Sequence, residues 1–279
     1  MPIDRRSAEL GVRLLTLRRA SGLTQKQLAD RLGVRQPTVS RFEAGQDIPT
    51  AEMLGRIGDA LALPEETRTE LEDRVAEHRV EVRTARLLAR QGARVLQQQV
   101  GQREATATNV WSYHLALVPG LLQTPEYTRG MASVLDTETD VDVEALVSGR
   151  QERQRLLLDP SRRFRFLMTE GALRARVAPV PVLRSQLRRL LALFEGFDHV
   201  DLGVVPLTAS LRSWTLTGFD IIGDVVEVEY LTGNVVIRDE RDVHVYRREF
   251  ERLDAQAVHG DALAALLRGI DTWLVDLDE

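Results

Sequence analysis

Apolar positions in the first sixty residues recur at helical spacing in short bursts, each broken by a glycine or a capping residue. Leu10, Leu14, Leu15 and Leu17 fall on one side of a first helix, capped by Ser7 and ending near Ser21 and Gly22. Thr24 caps the next, with Gln27 at capping-box spacing and Leu28, Ala29 and Leu32 as its apolar face; Gly33 stops it. Pro37 falls in the first turn of a third helix, where its missing N–H costs nothing, and that helix runs through Val39 and Phe42 to Ala44 and Gly45. Thr50 caps a fourth helix carrying Met53, Leu54, Ile57, Ala60 and Leu61, and Pro64 closes the unit.

Residues 65–100 lack proline, and Leu71, Val75, His78, Val82, Ala85, Ala89, Gly92 and Leu96 recur at spacings of four and three. Two readings stay open: a long helix lying on its own domain, or a helix that forms a dimer. From Trp111 the texture changes. Helices are expected over 142–158, 170–177, 182–194, 239–259 and 261–274, and strands over 164–168, 200–205, 214–222 and 225–231. The pattern predicts an all-α helix-turn-helix domain over 1–63, a helical linker over 64–105 and a larger α+β regulatory domain over 106–279.

Composition narrows the classes. A chain of 279 residues with 28% charged and 43% hydrophobic residues has room for two globular domains. No apolar run approaches the roughly 18–20 residues of a membrane span, no apolar signal segment opens the chain, and cysteine is absent; the expectation is a cytoplasmic protein with no membrane partner. Lys26 is the only lysine among 37 basic residues, which fits a GC-rich, actinobacterial genome. Charge is unevenly spread. Residues 1–63 hold ten Lys+Arg against seven Asp+Glu, a net +3, while the rest holds 27 against 35, a net −8. A mildly basic head on an acidic body suits a small nucleic-acid module with a separate regulatory domain.

The head carries the candidate chemistry. Ala29 is small where two helices cross, Gly33 permits the sharp turn, and Val34 and Val39 pin the second helix to the first. Arg35, Gln36, Thr38 and Arg41 are then left outward, and Arg and Gln read guanine and adenine edges bidentately. Gln25 opens the preceding helix, where side chain and backbone N–H groups can grip a phosphate. The Leu23-Thr24-Gln25 opening, the Leu28-Ala29 to Leu32-Gly33-Val34 core and the Val39-Ser40-Arg41 to Gly45 stretch resemble the Xre-type helix-turn-helix family of the phage repressors, over about residues 10–63. The resemblance implies base contacts from Gln36 and Arg41, with Gln25 supporting them and touching backbone. Arg35 stands where the family has a small capping residue, and Pro37 where it has a polar one. The candidate set for double-stranded DNA is Gln25, Arg35, Gln36, Pro37, Thr38, Ser40 and Arg41. Glu43 is read as half of an intramolecular ion pair. One such module binds weakly, so a homodimer on an inverted repeat is expected.

Leu117-Val118-Pro119-Gly120-Leu121-Leu122-Gln123-Thr124-Pro125-Glu126-Tyr127, then Arg150 to Gln154, Thr169 to Arg174 and Leu202 to Leu207, look like an actinobacterial regulator family. That family joins an Xre-type head to an antitoxin-like domain of unknown function. The resemblance implies DNA-binding regulation beside a gene for a small partner protein, and leaves a small-molecule effector open; an antitoxin that neutralises that small protein is the alternative. Candidate partner or ligand residues are Leu121, Leu122, Tyr127, Arg150, Arg153 and Trp214. Leu121 and Leu122 either anchor a rigid loop or present an apolar contact. Arg150, Arg153 and Glu170 either form buried charge pairs or line a site for an anion. Trp214, Phe219 and Tyr230 either pack in the core or line a pocket. The five histidines are scattered, no phosphate-binding glycine loop or G-x-S-x-G elbow appears, and Asp220, Asp224, Glu227 and Glu229 read as solvated strand faces. No catalytic residue, metal or cofactor is expected.

Overall fold

A computed structural model describes residues 5–78, 80–84, 93–134, 142–230 and 233–277. The chain divides into two compact units, Met1–Glu81 and Val82–Glu279.

The first unit is five helices: α1 (Arg5–Ala20), α2 (Gln25–Leu32), α3 (Gln36–Glu43), α4 (Ala51–Ala60) and α5 (Glu65–His78). Ser7 lies inside α1, two residues past its start, and does not cap it. Thr24 completes the capping box with Gln27, and Thr50 accepts from the Met53 N–H, as the sequence predicts. Gly33 takes φ +63°, the left-handed cap that turns α2 into α3. Gly45 takes φ +66° and lies against α1 so closely that a Cβ would sit 2.5 Å from the Ser7 carbonyl oxygen. Leu10, Leu14, Leu28, Leu32, Val39, Leu54 and Ile57 form the core, and Leu71 and Val75 of α5 complete it. The head therefore extends past residue 63, because α5 spends its apolar face on the same core. The expected continuous helix over 65–100 is not found: α5 ends at His78 and a strand follows at Val80–Thr84 (β1). Ala85, Ala89 and Gly92 of the heptad-like seam lie outside the described residues.

The second unit is a mixed sheet covered by helices. After β1 come α6 (Ala93–Thr106), β2 (Asn109–His114), α7 (Pro125–Val134), α8 (Val143–Gln154), β3 (Arg163–Thr169), α9 (Glu170–Arg174), α10 (Val180–Gly196) and β4 (Val200–Val205). Then come β5 (Phe219–Ile222), β6 (Val225–Tyr230), β7 (Gly233–Ile237), α11 (Glu240–Asp254) and α12 (Gly260–Asp276). The sheet order is β1-β7-β6-β5-β2-β3-β4. Strands β2, β3 and β4 are parallel, whereas β5, β6 and β7 form an antiparallel meander joined to β2. The expected strand over 214–222 begins only at Phe219, and Trp214 lies on the connection before it.

Alternation along the strands sorts side chains to two faces. On one face Phe164, Phe166, Met168, Leu202 and Val204 pack against α10 and α12. On the other Tyr113, Leu167, Phe219, Val226 and Val228 pack against Val243, Phe250 and Leu253 of α11. The first face is not apolar throughout. One register row crosses it as Leu202, Phe166, Ser112, Asp220, Glu227 and Val236, so polar side chains replace apolar ones from β2 to β6. Among the described residues no helix is long and apolar enough to cross a membrane.

Candidate nucleic-acid interface

The turn between α2 and α3 places the α3 N-terminus outward. Arg35, Gln36 and Pro37 are exposed there, Thr38 and Ser40 are half-buried, and Arg41 is exposed one turn on. Val39 alone of this helix is buried, and it fixes which face looks out. Arg35 occupies the N-cap with no side-chain hydrogen bond to the helix, so its guanidinium is not spent on capping. Pro37 satisfies its own position by lacking an N–H.

A hydrogen-bonded relay runs from the core to this face. Arg18 Nε and Nη2 donate to Glu43 Oε1 and Oε2 at 2.5 and 2.9 Å, and Arg18 Nη1 donates to the Leu23 carbonyl at 2.6 Å. The two side chains are 9% and 5% exposed, a buried bidentate pair. Burial works to raise the Glu43 carboxyl, but the donors Arg18 and Gln25 outweigh it and hold it below the ordinary carboxylate range. Gln25 Nε2 donates to Glu43 Oε2 at 2.8 Å, and Gln36 Nε2 donates to Gln25 Oε1 at 2.6 Å.

The carboxylate gives this relay a direction. Ionised Glu43 only accepts, so Gln25 must turn its NH2 inward and its oxygen outward; that oxygen only accepts, so Gln36 must turn its NH2 to Gln25. Gln36 keeps its own oxygen and its second N–H free. That is the acceptor and donor pair that an adenine edge complements. Glu43 is thus the inner partner predicted for an ion pair and also the group that sets the polarity of Gln36, a role the sequence reading did not assign. Arg41 is not free: its Nε lies 2.7 Å from Asp47 Oδ2, with both side chains about half exposed.

In the second unit, the polar row meets α6 and α8. Ser112 donates to Asp220, and His114 Nε2 lies 3.3 Å from the same carboxylate oxygen. Arg153 is clamped by Glu104 and by Gln97 at 2.6 Å, and Arg103 pairs with Glu227. Burial works against a charged His114, yet Asp220 and Glu229 raise it overall.

Against this geometry, residues 97–269 match the family described as Domain of unknown function (DUF5753), and residues 9–71 match a Helix-turn-helix domain. The chain belongs to the DUF5753 family. Among curated proteins, the cryptic phage CTXphi transcriptional repressor RstR of Vibrio cholerae serotype O1 is 39% identical over 51 residues, 18% of this chain. The chain spans 46% of the length of that relative. Among solved structures, that of TrmBL2, an archaeal chromatin protein with a novel mode of DNA binding, aligns over 75% of this chain and 67% of its own, at 16% identity and a TM-score of 0.33.

Within the DUF5753 domain the candidate residues separate. Leu121, Leu122 and Tyr127 are buried in the core, the last with its hydroxyl facing the Val118 N–H at 3.3 Å, so they are not an exposed partner surface. The two prolines and the glycine of that loop hold it in shape while its leucines fill the core. Glu170 is buried and takes Arg174 at 2.7 Å and the Leu207 N–H at 2.9 Å. Arg153 is spent on Glu104. Trp214 is 49% exposed, off the sheet and outside the core. Phe219 is buried and packs on Tyr113 and Tyr246, while Tyr230 is exposed. Of the carboxylates expected on solvated strand faces, Asp224 and Glu229 are exposed and Asp220 is partly so, whereas Glu227 is buried and pairs with Arg103 of α6. Asp201, Asp254 and His259 bring ligand atoms within 4.8 Å of one another, but Arg165 lies 2.8 Å from Asp254 and supplies the positive charge a cation would bring.

Proposed function

We propose that this chain is a sequence-specific DNA-binding transcriptional regulator that acts as a homodimer on an inverted repeat. Its C-terminal domain tunes that activity through a small partner protein or ligand. The observation that carries the reading is the relay from Arg18 through Glu43 and Gln25 to Gln36, which delivers a polarised amide to the exposed end of α3. A buried ion pair is an expensive way to hold a surface glutamine still, and it is useful only where orientation matters. Arg35, Gln36, Pro37, Thr38, Ser40 and Arg41 form the groove-facing set, and Gln25 adds a contact near the phosphates. The match to a phage repressor over the head and the net positive charge of residues 1–63 support the same reading. Two heads in a dimer would reach half-sites about 34 Å apart. An actinobacterial host fits the near-absence of lysine.

The test is fluorescence anisotropy on the full chain with its own upstream promoter and with random duplex. Gln36→Ala combined with Arg41→Ala is expected to remove the preference for the promoter while leaving the circular dichroism spectrum unchanged. Equal promoter preference in the double variant and the parent sinks the assignment.

A further inference from the structure

Where the sheet face turns polar, Arg103 and Arg150 each keep a sealed donor without a hydrogen bond; Arg103 has the Glu227 carboxylate beside it, and among the described residues Arg150 has none within ion-pair distance. Arg150 on α8 donates through Nη1 to Gln123 Oε1 and, at 3.4 Å, towards Thr128 Oγ1. Its Nε is sealed from solvent and meets no acceptor, and among the described residues no carboxylate comes within ion-pair distance of it. Its neighbours on the same face differ: Arg153 has Glu104, and Arg103 has Glu227. Burial, helped by the charge of Arg153, pushes the Arg150 guanidinium down to about 10.

The residues that Arg150 touches do not need it. Thr128 Oγ1 already donates to Gln123 Oε1 at 3.0 Å, and Gln123 Nε2 donates to the Val118 carbonyl at 2.7 Å. A desolvated charge without a counter-ion weakens a fold, so its neighbours give no reason to keep it there. Gly120 lies beside the unused edge; a Cβ there would stand 3.5 Å from Nε, so the glycine leaves a small gap next to a nitrogen that solvent does not reach. Glu229 and His114 lie within electrostatic reach of Arg150, and Asp220 lies 3.3 Å from His114. His114 and Asp220 are 25% and 38% exposed, so solvent reaches these two side chains. The planar fork of a guanidinium matches a carboxylate or a phosphate, and the acidic side suits a hydroxyl or a cation.

We propose that Arg150 anchors the anionic group of a small effector in the DUF5753 domain, a molecule with a carboxylate or phosphate at Arg150 and a polar or cationic group towards Asp220 and Glu229. The proposal rests on the reading that this domain tunes DNA binding, and it names the site and the ligand class.

The test is thermal unfolding of the full chain without DNA, titrated with inorganic phosphate and separately with succinate at matched ionic strength. For the parent, one probe is expected to give a saturable rise in Tm of about 3–6 °C at roughly tenfold excess over Kd. Which probe does so distinguishes a phosphorylated effector from a carboxylic one. Arg150→Met is expected to lose the saturable rise and to have a ligand-free Tm at or above that of the parent. No saturable rise with either probe, or the same rise in Arg150→Met, overturns the site. Should Arg150→Met not fold, Arg150→Lys keeps the charge without the fork and is expected to bind at least about tenfold more weakly; unchanged binding there also overturns it. Because DNA is absent, a negative result leaves promoter recognition standing, and failure of promoter recognition leaves this result standing.

Discussion

Arg18 in the head and Arg150 in the C-terminal domain are both withdrawn from water, and they meet opposite surroundings. Arg18 finds a carboxylate that takes two of its nitrogens and a carbonyl that takes the third. Arg150 finds an amide and a hydroxyl that are already bonded to each other. The first arrangement is complete and points outward through glutamines; the second is incomplete and sits beside solvent-reached acids. A satisfied buried charge fixes geometry, whereas an unsatisfied one leaves binding capacity.

The largest expected effect breaks the complete arrangement. Glu43→Ala strands the Arg18 guanidinium in the head core and is expected to cost about 3–5 kcal/mol of head stability, read by urea denaturation followed at α-helical wavelengths. The matching removal of Arg150 costs nothing or stabilises. Similar losses at both positions would erase the distinction between them.

Next in size is the orientation of Gln36. Gln25→Ala leaves both Arg18–Glu43 hydrogen bonds in place but frees the Gln36 amide to flip. On the proposed reading, in which Gln36 faces a base, discrimination between adenine and guanine there should fall by up to about 1–3 kcal/mol, measured as a ratio of affinities so that any lost phosphate contact cancels. A ratio equal to that of the parent would mean that the relay does not orient Gln36.

Much of this was legible in the sequence. Four helices of the head followed from apolar spacing, with the caps Thr24, Gly33 and Thr50 marking α2 and α4, but Ser7 does not cap α1 and no local signal separated α5 from the residues after it. Arg41 and Gln36 were placed outward by the same spacing. The direction of the relay was not legible, because Arg18, Gln25, Gln36 and Glu43 lie far apart in the chain and only the crossing of α1, α2 and α3 joins them. In the second domain, strands 200–205 and 225–231 were readable from β-branched residues, but β2 was missed because Ser112 and His114 interrupt its apolar alternation. Those polar residues meet Asp220 of β5, and that pairing is a long-range fact. The same interruption hid the difference between Arg150 and Arg153, three residues apart on one helix and with opposite partners.

Acid should separate the two regions further. Glu43 has a folded value held below the unfolded 4.5, so its ionised form adds stability above that value, and the gain is lost as pH falls through the depressed folded value. Glu104 is raised, since burial outweighs Arg153. Its folded form prefers the proton, so its contribution improves as pH falls from the raised value towards 4.5. Side-chain carboxyl titration by carbon NMR is expected to place the Glu43 midpoint below 4.5 and the Glu104 midpoint above it. The reverse order would contradict the contrast between an ion pair that favours its charge and one that barely sustains it.

The smallest effect concerns the exposed pair at the edge of α3. Arg41 and Asp47 are each about half in water, so their attraction is screened and contributes little to folding. Asp47→Asn is expected to change stability by less than about 0.5 kcal/mol. It also removes a negative charge next to the proposed groove-facing set and releases the Arg41 guanidinium. Affinity for duplex DNA should then rise, and the salt dependence of binding should steepen, because one more cation is available to displace counterions from the phosphates. Asp47 would in that case be a brake on DNA binding rather than a support for the fold. A variant with parental affinity and salt slope would show that Arg41 leaves Asp47 without hindrance whenever DNA arrives.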